Sequence, residues 1–250
     1  MIDLTNPFPF GLNRGNWPFY AAGLVVLLAL LLAVDHPISV LVTQHSKDSV
    51  DLANTITRWG ESDWILIPSG VLLIVTAILA RLLRTRIYKL ACIEMTQIVG
   101  LIFVGVGLPG LVSAVLKRLV GRSRPVVFDQ AGILGFHPVF NQFGFESWPS
   151  GHTTTAFALC MVIGFLSPKW FWIGLLYAIA VGGSRLALGV HYPTDVVSGC
   201  VLGSLGAYAV RYYFASRRWG FERLPDGRIV QRPVMAIVRA TERVQGKFRR

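Results

Sequence analysis

The sequence predicts an all-α protein: a six-transmembrane-helix bundle with both termini cytoplasmic and an interfacial helix between spans one and two. Three observations predict it. Hydrophobic residues make up 53% of the 250 positions and charged residues only 15%, too apolar a balance for an ordinary soluble domain. Apolar stretches recur at the length needed to cross a hydrocarbon core of about 30 Å at a rise of about 1.5 Å per residue. Lys and Arg also concentrate on alternate connections, with 17 of the 24 on the side that would hold both termini. Cytoplasmic loops show that enrichment.

Taken in order, Trp17 to Val34 contains no charged side chain and forms span one. Its apolar run is longer than a secretory signal core, and no small-residue cleavage site follows before Asp35-His36-Pro37, so an uncleaved anchor is expected. From Asp35 to Asp63 the spacing of Ile38, Leu41, Val42, Leu52, Ile56 and Trp59 suits a helix lying in the outer interface, where it could wall a site. An ordinary connecting loop is the other reading. Trp64 to Ala80 is span two and Met95 to Leu116 span three; Thr153 to about Trp170, Phe171 to about Leu188, and Val196 to Phe214 are spans four, five and six. Lys169 and Arg211 sit at span ends, where their stems can carry the charge out to the headgroups. Arg185 lies inside span five near one end. An unpaired cation at the bilayer centre would cost about 3 kcal/mol or more, so Arg185 is expected to face an anion or a polar cavity. Cys92, Cys160 and Cys200 lack metal-type spacing and read as small apolar residues.

Residues 1–214 then form one membrane domain and residues 215–250 a basic cytoplasmic tail. A turn is expected at Pro225-Asp226-Gly227, followed by an amphipathic helix carrying Val234, Ile237, Val244 and Phe248. Its cations should attract anionic lipid, each contributing about 1 kcal/mol near the surface. No aromatic stacking platform or recognition motif accompanies the charge, so nucleic acid is not an expected partner.

This topology brings three polar clusters to the outer face: Lys117 with Arg124-Pro125; Pro149-Ser150-Gly151-His152; and Ser184-Arg185, His191 and Asp195. Phosphoryl transfer spreads negative charge over the equatorial oxygens, and positioned cations are its first requirement. Lys117, Arg124 and Arg185 supply them, Arg gripping two oxygens through its planar fork. Pro149-Ser150-Gly151-His152 directly precedes an apolar helix, whose N-terminal N–H groups make an anion seat. Ser150 can cap that helix or donate to phosphate, and Gly151 permits close approach. His152 in the first turn can protonate a departing oxygen. His191 and Asp195 are four residues apart around Pro193; a carboxylate on one imidazole nitrogen fixes the tautomer and frees the other for in-line attack. Arg118 and Arg122 offer charge for a second phosphate. His36, His45 and His137 have no such company. Two histidines and an aspartate could hold zinc, but the cations crowding the same face would repel it, so neither metal nor cofactor is expected.

Lys117, six residues, Arg124-Pro125; Pro149-Ser150-Gly151-His152; Ser184-Arg185, five residues, His191, three residues, Asp195: this pattern resembles the signature of the type 2 phosphatidic acid phosphatase superfamily, which also includes the vanadium haloperoxidases and bacterial acid phosphatases. The spacing inside each motif is unbroken. The resemblance implies a helical bundle, a phosphohistidine on His191 oriented by Asp195, His152 as acid and then base, and Lys117, Arg124, Ser150, Gly151, His152 and Arg185 around the phosphate. Membrane members of that family dephosphorylate lipid phosphates or diphosphates without metal. The expectation is therefore a metal-independent lipid phosphatase of a bacterial inner membrane, acting at the outer leaflet on a polyprenyl diphosphate, phosphatidylglycerophosphate, phosphatidate or lipid A type substrate. A phosphotransferase sharing the covalent half-reaction and a non-catalytic lipid-binding membrane protein are the alternatives; six spans argue against a haloperoxidase.

Overall fold

The computed structural model describes residues 3–43, 47–138 and 142–248; His45 lies outside them. The chain is predominantly helical, with α1 (Trp17–Thr43), α2 (Lys47–Arg58), α3 (Asp63–Leu82), α4 (Arg86–Val120), a short α5 (Phe128–Ala131), α6 (Gly151–Leu166), α7 (Phe171–Ala187) and α8 (Pro193–Ser216). A two-stranded antiparallel hairpin, β1 (Phe221–Arg223) and β2 (Ile229–Gln231), and α9 (Met235–Phe248) complete it. Among the described residues, four helical stretches are long and apolar enough to cross a membrane: Trp17–Val42, Val50–Leu82, Arg86–Val120 and Pro168–Ala187. Their outward faces are crowded with exposed Leu, Ile and Val, as expected of surfaces that meet lipid rather than water. This is a helical membrane protein.

Helix α1 continues past Val34, through Pro37, to Thr43. An ion-free span stops at Asp35; the helix does not, because Asp35 is buried with partners waiting for it, Arg122 and Thr194. The amphipathic segment that follows forms the separate helix α2.

The core is built around α6, whose Ala156, Ala158, Cys160 and Val162 are buried between α4, α7 and α8. Gly199 sets the approach of α8: a Cβ there would stand 2.6 Å from the Ser150 carbonyl oxygen and 3.1 Å from Thr153 Cβ. The starts of α6 and α8 are thereby held together, and the Ser150 N–H donates to the Asp195 carbonyl at 3.1 Å. Helix α4 closes on Gly121, left-handed at φ 62°, with its N–H on the Lys117 carbonyl at 3.0 Å. Only glycine takes that conformation cheaply, and it turns the chain just beyond Lys117 and Arg118 toward Arg122 and Arg124.

The opposite end is tied by Arg211. In place of the expected exit to the headgroups, its side chain is 1% exposed, donating to the carbonyls of Leu4, Asn6 and Pro7 and lying over the rings of Phe165 and Tyr208 at 4.1 and 4.7 Å. The physical reason is local: a non-helical N-terminal segment brings free carbonyl acceptors to the cation. The Ile229 N–H donates to the Thr5 carbonyl at 2.7 Å, and Glu94 on α4 accepts the N–H groups of Ala236 and Ile237 at 3.0 and 2.9 Å. Helix α9 is thus packed against α4, and β1 against α8.

Candidate active site

The three sequence clusters converge around the start of α8. Pro193 occupies its first turn, where a missing N–H costs nothing, and Asp195 folds back to accept the Tyr192 N–H at 2.8 Å. Asp195 is fully buried: Oδ2 also accepts from Ser147 Oγ at 2.5 Å, and Oδ1 from Arg122 Nη1 at 2.6 Å. The same Oδ2 stands 3.6 Å from His191 Nδ1. That is ion-pair range rather than a hydrogen bond, and Nδ1 has no other partner among the described residues; an approach of about 0.5 Å would make the bond.

His191 sits between α7 and α8, nearly enclosed. Burial pushes its pKa down to about 4, with Arg124 and Arg185 pushing the same way and Asp195 opposing. The ring is neutral at neutral pH, the form with a lone pair to donate.

The two arginines that act on His191 are themselves buried and incompletely paired. Arg124 gives Nη2 to the Glu146 carbonyl at 3.2 Å and lies 3.9 Å over the Phe143 ring; Arg185 gives Nη1 to Thr57 Oγ1 at 2.6 Å, reaching across to α2. Arg124 Nε and Nη1 and Arg185 Nε have no acceptor among the described residues. Each unsatisfied buried donor costs about 1–3 kcal/mol, and the oxygens of a tetrahedral anion would satisfy all three. Lys117 Nζ is 3.8 Å from Glu146 Oε2, and a Cβ on Gly151 would come within 3.9 Å of that nitrogen. Ser150 is buried, its hydroxyl accepting from Thr153 Oγ1 at 2.9 Å.

His152 opens on a cleft of about 580 Å³ shared with Lys117, Gly151 and the turn Gly60-Glu61-Ser62-Asp63 between α2 and α3, with Leu66 and Leu111 on its apolar side. Gly60 packs directly on the imidazole: a Cβ there would meet His152 Cβ and Cδ2 at 3.1 Å.

Arg122 requires correction. It does not face an open second-phosphate site but is 4% exposed, with Nη1 on Thr194 Oγ1 and Asp195 Oδ1, both at 2.6 Å, and Nη2 on Asp35 Oδ2 at 2.9 Å. Its charge is committed to two carboxylates. Arg118 stays at the rim, one-third exposed, giving Nη1 to the Ala114 carbonyl and standing 3.8 Å from Glu146 Oε1. Sequence reasoning missed Asp35, Thr57, Glu146, Ser147 and Thr194. Asp35 carried a usable signal, since a carboxylate running on from an apolar helix marks a functional pairing by default; the hydroxyls carried none. His36 stacks on Phe128 and His137 meets Phe145 edge-on.

The PAP2 superfamily profile matches residues 98–219. A lipid A 1-phosphatase of Rhizobium johnstonii is 32% identical over 202 residues, covering 81% of this chain and 82% of that protein. An undecaprenyl-diphosphatase of Sulfolobus acidocaldarius is 44% identical over 59 residues, 23% of this chain and 29% of that one. The crystal structure of a transmembrane PAP2 type phosphatidylglycerolphosphate phosphatase from Bacillus subtilis covers 77% of this chain and 94% of its own, at 24% identity and a TM-score of 0.49. The protein is a membrane lipid phosphatase. It belongs to the PAP2 superfamily.

Proposed function

We propose that this phosphatase hydrolyses a lipid phosphate through a phosphohistidine on His191, without metal. The observation that carries the reading is the pair of buried guanidiniums with free N–H groups beside a neutral histidine whose other nitrogen faces a carboxylate. His191 Nε2 attacks phosphorus with its lone pair; the bond from phosphorus to the lipid oxygen breaks, and His152 gives that oxygen its proton. Water, deprotonated by His152, then attacks the phosphorus and breaks the P–N bond, releasing inorganic phosphate and restoring His191. Lys117, Arg124 and Arg185 hold the equatorial oxygens throughout, with Ser150 and the Gly151 N–H completing the seat.

With Arg122 withdrawn, a second phosphate would have only Arg118 at the rim. The substrate we favour is a glycolipid phosphate of the lipid A type, since the Rhizobium johnstonii relative bears that activity in its name and aligns over most of its length; a polyprenyl diphosphate is second.

For topology we propose six spans, α1, α3, α4, α6, α7 and α8, with both termini cytoplasmic in a bacterial inner membrane and the site facing outward. Supporting this, Asp35 of α1 and the starts of α6 and α8 gather at the site, while Arg211 near the end of α8 meets the N-terminal segment. Helix α2 would lie in the outer interface, where Thr57 reaches Arg185. Residues 1–214 form the membrane domain and 215–250 the basic cytoplasmic tail in this reading.

The test is phosphate release by the purified protein in detergent micelles of lipid A, polyprenyl diphosphate or phosphatidate, in EDTA and with no acceptor. Wild type should release phosphate and His191→Ala none while remaining folded. Release only on adding an acceptor alcohol would make the protein a phosphotransferase; undiminished release by the variant would remove the phosphohistidine.

A further inference from the structure

Asp35 lies far in sequence from every motif residue, yet its carboxylate is fully buried, and the hydrogen bonds it makes among the described residues go to Arg122 and Thr194 rather than to Lys117, Arg124 or Arg185. Oδ1 accepts the Thr194 N–H at 2.9 Å, and Oδ2 accepts Arg122 Nη2 at 2.9 Å together with the Thr194 hydroxyl. Thr194 Oγ1 in turn accepts Arg122 Nη1, which also reaches Asp195 Oδ1, both at 2.6 Å. The guanidinium is therefore clamped between a carboxylate of α1 and a carboxylate of α8, with Thr194 closing the ring.

We infer that Asp35 is a positioning residue for phosphoryl transfer, acting through Arg122 on Asp195 and so on His191; this rests on the phosphohistidine reading. Two physical effects combine. A planar fork paired on both arms cannot rotate, so Asp195 Oδ1 is pinned and Oδ2 keeps its aim at His191 Nδ1. Charge matters as well: one guanidinium against one carboxylate would neutralise Asp195, whereas against two it leaves the cluster with a net negative charge facing the imidazole. That charge strengthens the nucleophile and stabilises the cationic phosphohistidine as it forms. A buried carboxylate placed merely to brace α1 against α8 would not need to share its cation with the residue that orients the nucleophile.

The experiment is a double-mutant cycle on kcat and KM with Asp35→Asn and Asp195→Asn, using whichever of lipid A, polyprenyl diphosphate or phosphatidate micelles wild type turns over fastest. In the wild-type background Asp35→Asn should lower kcat about tenfold or more with KM within about threefold, because the phosphate seat is untouched. In the Asp195→Asn background the same change should cost less than about twofold, since the group it acts through is already disabled. Equal losses in both backgrounds, or a raised KM at unchanged kcat, would reduce Asp35 to a packing element. Should Asp35→Asn not fold, Thr194→Val, which removes the bridging hydroxyl and keeps the N–H, is scored by the same criteria. No turnover by wild type on all three lipids overturns the functional reading instead, so the two failures are distinct.

Discussion

At His191 the decisive quantity is protonation. Its pKa, lowered to about 4 chiefly by burial, keeps the ring neutral down to that pH, so if His191 is the nucleophile proposed above, the acid limb of kcat/KM from this group should lie near pH 4 rather than near the ordinary value of about 6.5. A measured limb near 6.5 would mean a solvated ring. The stability sign follows from the same shift: the unfolded chain binds a proton near 6.5 that the folded chain binds only near 4, so the stabilisation from the neutral buried ring is full above 6.5 and is lost as pH falls through that window. Arg124 gives a second prediction at this scale. Two of its nitrogens have no acceptor among the described residues, and Lys offers a point charge in their place. Arg124→Lys should weaken competitive inhibition by inorganic phosphate or orthovanadate about tenfold or more, at about 1.5–3 kcal/mol per charge-assisted hydrogen bond; an unchanged inhibition constant would place the anion elsewhere. The motif residues were legible because polar side chains at fixed spacing are conspicuous in apolar sequence. Arg122 was not, because its meaning depends on a partner 87 positions away.

Between elements, the site depends on how closely α8 crosses α6. Gly199 holds that crossing, with the Ser150 carbonyl where a Cβ would go, whereas Gly183 on the outward side of α7 has nothing within 4 Å of its would-be Cβ. Gly199→Ala should therefore push the Ser150-Gly151-His152 turn away from Asp195 and cost about 1–3 kcal/mol in stability together with activity; Gly183→Ala, an equal change in a helix, should be neutral or slightly stabilising. Melting temperature and turnover of the two variants in one detergent check it, and equal effects would refute the close-crossing argument. Hydropathy marked the four helical stretches that are long and apolar enough to cross a membrane, since each needs a run of uncharged residues to do so. It could not give the end of α1, because a buried charge with a partner in the fold looks in sequence like the first residue of a loop. Nor could it place α2, whose Thr57 earns its position from Arg185 on α7.

Across the whole molecule, chemistry and anchoring occupy opposite ends. His191, Asp195 and the cations gather where α6 and α8 begin; Arg211 gathers the N-terminal carbonyls near the end of α8, and Glu94 near the start of α4 holds the first N–H groups of α9. Composition showed a basic tail but not that it is fastened, because the fastening uses backbone carbonyls and N–H groups that every sequence possesses. Separation of the two ends predicts independence. Glu94→Gln keeps the shape but removes the charge that meets the positive end of α9, an interaction worth about 0.3–2 kcal/mol. The expected result is faster proteolysis within residues 232–248 and a melting temperature lowered by a few degrees, with kcat and KM unchanged, since changes this far apart with no shared partners add. If Glu94→Gln instead altered kcat, the tail would be coupled to the site through α4, the one helix that carries both Glu94 and Lys117.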